Sequence, residues 1–204
     1  MIAHHVHHAL TQIKELQQQI LEKQRFRGYS GPARAFSGAM ALFAASVMNS
    51  SAFPQTETAH LAGWGVVFLA AIILNFSALM YWFLFDSVVK RDVRRLGPLL
   101  DVSPSIFVGS VLTLVMLARG TYDSLFGTWM CLFGLANVAS RHVLPRAIAW
   151  LGLYYISCGT ACLTLPELNF LNPWPMGIVF FIGEWIGGLV LYFDGKRTLK
   201  GESC

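Results

Sequence analysis

Residues 61–85 read LAGWGVVFLAAIILNFSALMYWFLF, twenty-five positions without one charged side chain. A stretch of about 20 apolar residues matches the hydrocarbon thickness of a bilayer as a helix. Nothing in the segment alternates with the period of a strand, and its length exceeds that of an ordinary buried core helix. The whole chain agrees with this reading. Of 204 residues, 55% are hydrophobic and 13% charged, whereas a soluble domain carries about 25% charged residues. That balance excludes disorder, and four Cys are too few for a disulfide-stapled secreted scaffold.

Working outward, five more apolar segments flank the first. The spacing predicts spans over 35–52, 61–85, 104–119, 124–140, 147–165 and 176–193, with a tail over 194–204. The expected fold is therefore all-α, a polytopic transmembrane bundle of six helices. The third segment is the shortest, because Arg119 follows Pro104 so closely; Arg119 is expected at its end, reaching toward the interface.

Residues 1–34 form the one extended hydrophilic stretch. Val6, Leu10, Ile13, Leu16 or Gln17, and Ile20 recur at spacings of three and four that make a narrow apolar stripe on a helix, ending at the turn-formers Gly28-Tyr29-Ser30-Gly31-Pro32. Such a stripe suits the bilayer surface or a protein partner, either another chain or a second copy of this one, better than a crossing. His4 and His8 stand one helical turn apart and suit a transition metal. No Cys or acid near them closes a site, so no metal is expected, and no cofactor.

The basic residues sort by loop. Lys14, Lys23, Arg25, Arg27 and Arg34 precede the first span; Lys90, Arg91, Arg94 and Arg95 follow the second; Arg141 and Arg146 follow the fourth; and Lys196, Arg197 and Lys200 close the chain. With six spans, fourteen of the 15 basic residues fall on one side and only Arg119 on the other. The positive-inside rule then places both termini in the cytoplasm, and the setting is a bacterial cytoplasmic (inner) membrane. Topology thereby accounts for the basic residues, and nucleic acid is not expected as a partner. Trp64, Trp129 and Trp174 fall near the expected outer ends of spans, where indole rings sit at headgroup level, while Trp185 falls near mid-membrane.

Glu184 is the only acid expected deep inside a span. Gly183, Gly187 and Gly188 share its stretch of helix, and small residues mark where another backbone approaches. Glu184 therefore points into a helix interface, with Arg119 as its sign-matched partner and Asn75, Asn137 and Tyr155 as polar alternatives. One reading makes it a proton or cation site. The other makes it a hydrogen-bonded group that fixes helix packing, and this is favoured, because a relay needs further acids or His at the same depth. Gly28-Tyr29-Ser30-Gly31 matches the G-x-S-G string of intramembrane serine proteases, but it precedes the first span and no span contains a His to act as base. The function expected is accordingly non-enzymatic: an assembly, scaffold or accessory subunit in the bilayer. The alternative is a small transporter or channel that uses Glu184.

The run Gln24-Arg25-Phe26-Arg27-Gly28-Tyr29-Ser30-Gly31-Pro32-Ala33, and Trp174-Pro175-Met176-Gly177 before the last span, resemble the corresponding parts of uncharacterised bacterial six-span membrane proteins with an N-terminal cytoplasmic helix. In size and glycine-punctuated helices the chain is also similar to six-span acid-resistance membrane proteins. The resemblance implies the layout and carries no catalytic residue with it.

Overall fold

The computed structural model describes residues 30–85, 97–142, 144–165 and 168–201, with the backbone alone for 97–102, 142 and 197–201. The amphipathic stripe of residues 1–29 and its His cluster lie outside the described residues. Every regular element among those described is helical: α1 Gly31–Met48, α2 Glu57–Phe85, α3 Gly97–Arg119, α4 Leu125–Ala139, α5 Arg146–Thr164 and α6 Trp174–Gly201. Short 3-10 turns at Tyr122–Ser124 and Ser140–His142 extend α4 at both ends.

Helices α2, α5 and α6 are each long and apolar enough to cross a membrane. In α1, Arg34 lies inside the helix, and α4 has only 15 residues, about 22 Å at 1.5 Å per residue. In α3 the apolar part is the shorter stretch Ser103–Arg119. That helix starts at Gly97, ahead of the expected Pro104, which lies within it.

The start of α1 also differs from the expectation. Ser30 is its N-cap, with extended backbone and an Oγ that accepts from Ala33 N at 3.3 Å. Pro32 fits the first turn, where its missing N–H would have had no intrahelical partner. The turn-formers Ser30, Gly31 and Pro32 thus begin a helix, and they carry Arg34 into it.

Two closely packed antiparallel pairs form the body of the protein, α1 along α6 and α4 along α5. Small residues make both possible. A Cβ on Gly31 would lie 2.5 Å from Gly188 O, and one on Gly177 would lie 2.5 Å from Ala45 Cβ. In the other pair, a Cβ on Gly134 would lie 2.6 Å from Gly152 O, and one on Gly159 2.7 Å from Gly127 O. Backbones this close gain dispersion contacts along the whole interface, the main attraction available to helices in lipid. Helix α2 flanks α1, α3 flanks α4, and α5 joins the two pairs by packing on α6.

Two apolar clusters fill the interior. One includes Met48, Trp64, Phe126, Met130, Phe170 and Met176, with Phe53 and Leu168 packed against it. The other includes Leu79, Leu144, Ile148, Leu151 and Tyr155, and Phe180 packs against both. Trp64 is 3% exposed, so it belongs to the core and not to an interfacial belt. Trp129 Nε1 donates to Thr113 Oγ1 at 2.9 Å, tying α4 to α3.

Candidate functional site

Glu184 sits in the middle of α6 with its side chain nearly sealed, 6% of the residue being exposed. Its cation is Arg34. Nε of Arg34 donates to Oε2 at 2.8 Å and Nη2 donates to Oε1 at 3.0 Å. This is the side-on bidentate fit of a guanidinium to a carboxylate, the strongest arrangement open to the pair. Tyr155 of α5 donates its hydroxyl to Oε1 at 2.8 Å, and Asn137 of α4 accepts from Arg34 Nη2 at 2.9 Å through Oδ1. The Arg34 guanidinium carbon lies 5.9 Å from the centroid of the Phe133 ring, within cation–π range. Four helices, α1, α4, α5 and α6, therefore meet at a single neutralised charge pair.

Local sequence places each member. Arg34 reaches Glu184 because Ser30 and Pro32 start α1 early enough to place position 34 inside the helix beside Gly187, one turn from Glu184, a gap its side chain spans. Gly38 lets the two helices approach there, since a Cβ on it would lie 2.8 Å from Glu184 Cβ. Gly187 makes room for the guanidinium, a Cβ at that position meeting Arg34 Nε at 2.7 Å, and Gly183 makes room for the Tyr155 ring. Gly188 lies against the Gly31 carbonyl and Ala35.

Among the expected site residues, the structure brings together Glu184, Tyr155 and Asn137, with Gly183 and Gly187 around them. Asn75 stands one step away: its Nδ2 donates to Ser37 Oγ at 3.0 Å and to Ala71 O at 2.9 Å, tying α2 to α1. Arg119 is not part of the cluster. It ends α3 in an exposed position, while the guanidinium on Glu184 comes from Arg34. Sequence reasoning passed over Arg34 by assigning it to the basic segment before the first span. The signal that finds it is the Ser-Gly-Pro start, which fixes where the helix begins.

Opposite charges this close cancel most of each other's field outside the cluster, and the desolvated interior strengthens the bonds within it. Three of the roughly four lone-pair positions of the carboxylate are occupied by donors from Arg34 and Tyr155. Chemically, the arrangement is suited to holding helices in register. Burial points the same way: Arg34, in the first turn of α1, is 9% exposed and turns its guanidinium into the bundle, where Glu184 neutralises it.

No group of three or more His, Cys, Asp or Glu that would hold a metal occurs among the described residues. Cys131, Cys158 and Cys162 are free thiols, and Cys162 Sγ packs 4.0 Å from Met130 Sδ. Two further buried polar atoms, His60 Nε2 and Trp64 Nε1, have no hydrogen-bond partner among the described residues; their rings meet Phe53 and Phe126 edge to face at 5.3 and 5.8 Å. No family model, curated protein or solved structure matches this chain.

Proposed function

We propose that this protein is a non-enzymatic integral membrane protein that serves as an assembly, scaffold or accessory subunit. The observation that carries the reading is the state of Glu184. The interior acid is bound by Arg34 and Tyr155 and closed off by Gly38 and Gly183, an arrangement that serves helix packing and leaves the carboxylate little capacity for a transported ion. The pairing of helices supports six crossings. Helix α1 runs beside α6 and α4 beside α5, two less apolar helices each against a neighbour apolar enough to span, and α3 packs along α4. With six crossings the positive-inside rule puts both termini in the cytoplasm of a bacterial cell. The N-terminal segment, with its single apolar stripe, is the part that engages a protein partner or a second copy.

The test is native mass spectrometry of the full chain taken from the membrane in lipid nanodiscs. The expected result is a homo-oligomer or a stoichiometric complex that dissociates when residues 1–29 are removed, with the six-helix unit still folded. A monomer with nothing bound would overturn the proposal. So would a proteoliposome ion flux that is present in the wild type and abolished by Glu184→Gln.

A further inference from the structure

The ion pair joins the first helix of the bundle to the last, and these two differ in how well each suits a membrane. Helix α6 is among those long and apolar enough to cross, and α1, which carries Arg34, is not. The buried face of α1 consists of Gly31, Ala33, Arg34, Ser37, Gly38, Ala41, Ala45 and Met48, mostly small or polar residues that give little transfer energy to lipid but fit closely against another backbone. Its closest partner is α6, which supplies both the carboxylate for Arg34 and the glycines that α1 packs against. Among the first four helices, α1 is tied to α2 through Ser37 and Asn75 and to α4 through the bond from Arg34 to Asn137, both of them contacts to neutral groups.

We infer that α1 is a conditional span, held across the membrane by α6 through the Arg34–Glu184 pair, so that the first helix takes its final place only after the last has been made. Resting on the six-span reading above, this adds a dependence between the two ends of the bundle. A ligand that binds only the inserted state shifts that equilibrium in proportion to its differential affinity, and the Glu184 carboxylate acts on α1 as such a ligand.

The experiment is labelling of intact cells by a membrane-impermeant maleimide. The full chain carries Cys→Ala at positions 131, 158, 162 and 204, and one reporter at a time, Ala52→Cys between α1 and α2 or Asn172→Cys before α6. Both reporter positions are exposed. In the parent chain both are expected to label. With Glu184→Ala, labelling at position 52 is expected to fall by on the order of tenfold while labelling at 172 persists, because loss of the partner returns α1 to its own insertion preference. Arg34→Leu combined with Glu184→Ala is expected to restore labelling at 52, which separates loss of the partner from general misfolding. Labelling at 52 that is unchanged by Glu184→Ala would overturn the inference and leave the six-span reading intact. Failure of position 52 to label in the parent chain would overturn that reading, and the inference with it.

Discussion

Removing one half of the Arg34–Glu184 pair is expected to be far more damaging than removing both. Substituting Met for Glu184 takes away a carboxylate that meets Arg34 through two hydrogen bonds and Tyr155 through a third. It leaves a guanidinium buried among four helices. Breaking a buried pair in this way costs about 3–5 kcal/mol, whereas replacing both members by apolar groups of similar volume is neutral or stabilising by about 1–4 kcal/mol. Glu184→Met and Arg34→Met should therefore each lower stability by about 3–5 kcal/mol, and the double variant should lie near the parent, a coupling of about 6–10 kcal/mol. The assay is reversible unfolding in mixed micelles by titration with an anionic detergent, followed by tryptophan emission, since Trp64 in the core reports on packing. A double variant whose loss equals the sum of the two single losses would refute the reasoning. The two groups would then be destabilising for separate reasons, and the pair would not be the unit that holds the helices.

Tyr155→Phe keeps the ring against Phe133 and Phe180 but removes the donor to Glu184, and should cost about 1.5–3 kcal/mol in the same titration. Asn75→Leu removes a neutral bond to Ser37 and should cost no more than about 0.5–1.5 kcal/mol; equal losses for the two would show that the charge on Glu184 adds nothing. Gly152→Ala should destabilise by about 1–3 kcal/mol, because its Cβ would lie 2.6 Å from the Gly134 carbonyl. Gly65→Ala, with nothing within 4 Å, should stabilise α2 by about 0.5–1 kcal/mol; circular dichroism during thermal unfolding checks both.

The helical architecture was legible because its signals are local: long runs free of charge, and glycines where backbones meet. Glu184 stood out as the interior acid, and Tyr155 and Asn137 were on the right stretches of helix to reach it. The choice of Arg119 as its cation was not supported, and the physical reason is depth. Position 119 ends α3 at an exposed site, whereas Arg34, only three residues into α1, is put inside the helix by the Ser-Gly-Pro start and within one turn of Glu184 by antiparallel packing of distant segments. Trp64 misled for a related reason. An indole near the end of a span fits the headgroup region equally well in sequence terms, and only the approach of Phe126, Met130 and Phe170 makes it core.

Gly31 against Gly188 closes the bundle on itself, because the first and last helices of the six-helix unit are immediate neighbours. The connectivity of the chain and the connectivity of its contacts are therefore separable. A circularly permuted chain, with a flexible linker joining the end of α6 to the start of α1 and new termini opened in the exposed loop around Ala52, would keep every interhelical contact described here. In such a permutant α2 would be translated first and α1 last, after α6, so Arg34 would emerge with its counterion already in place.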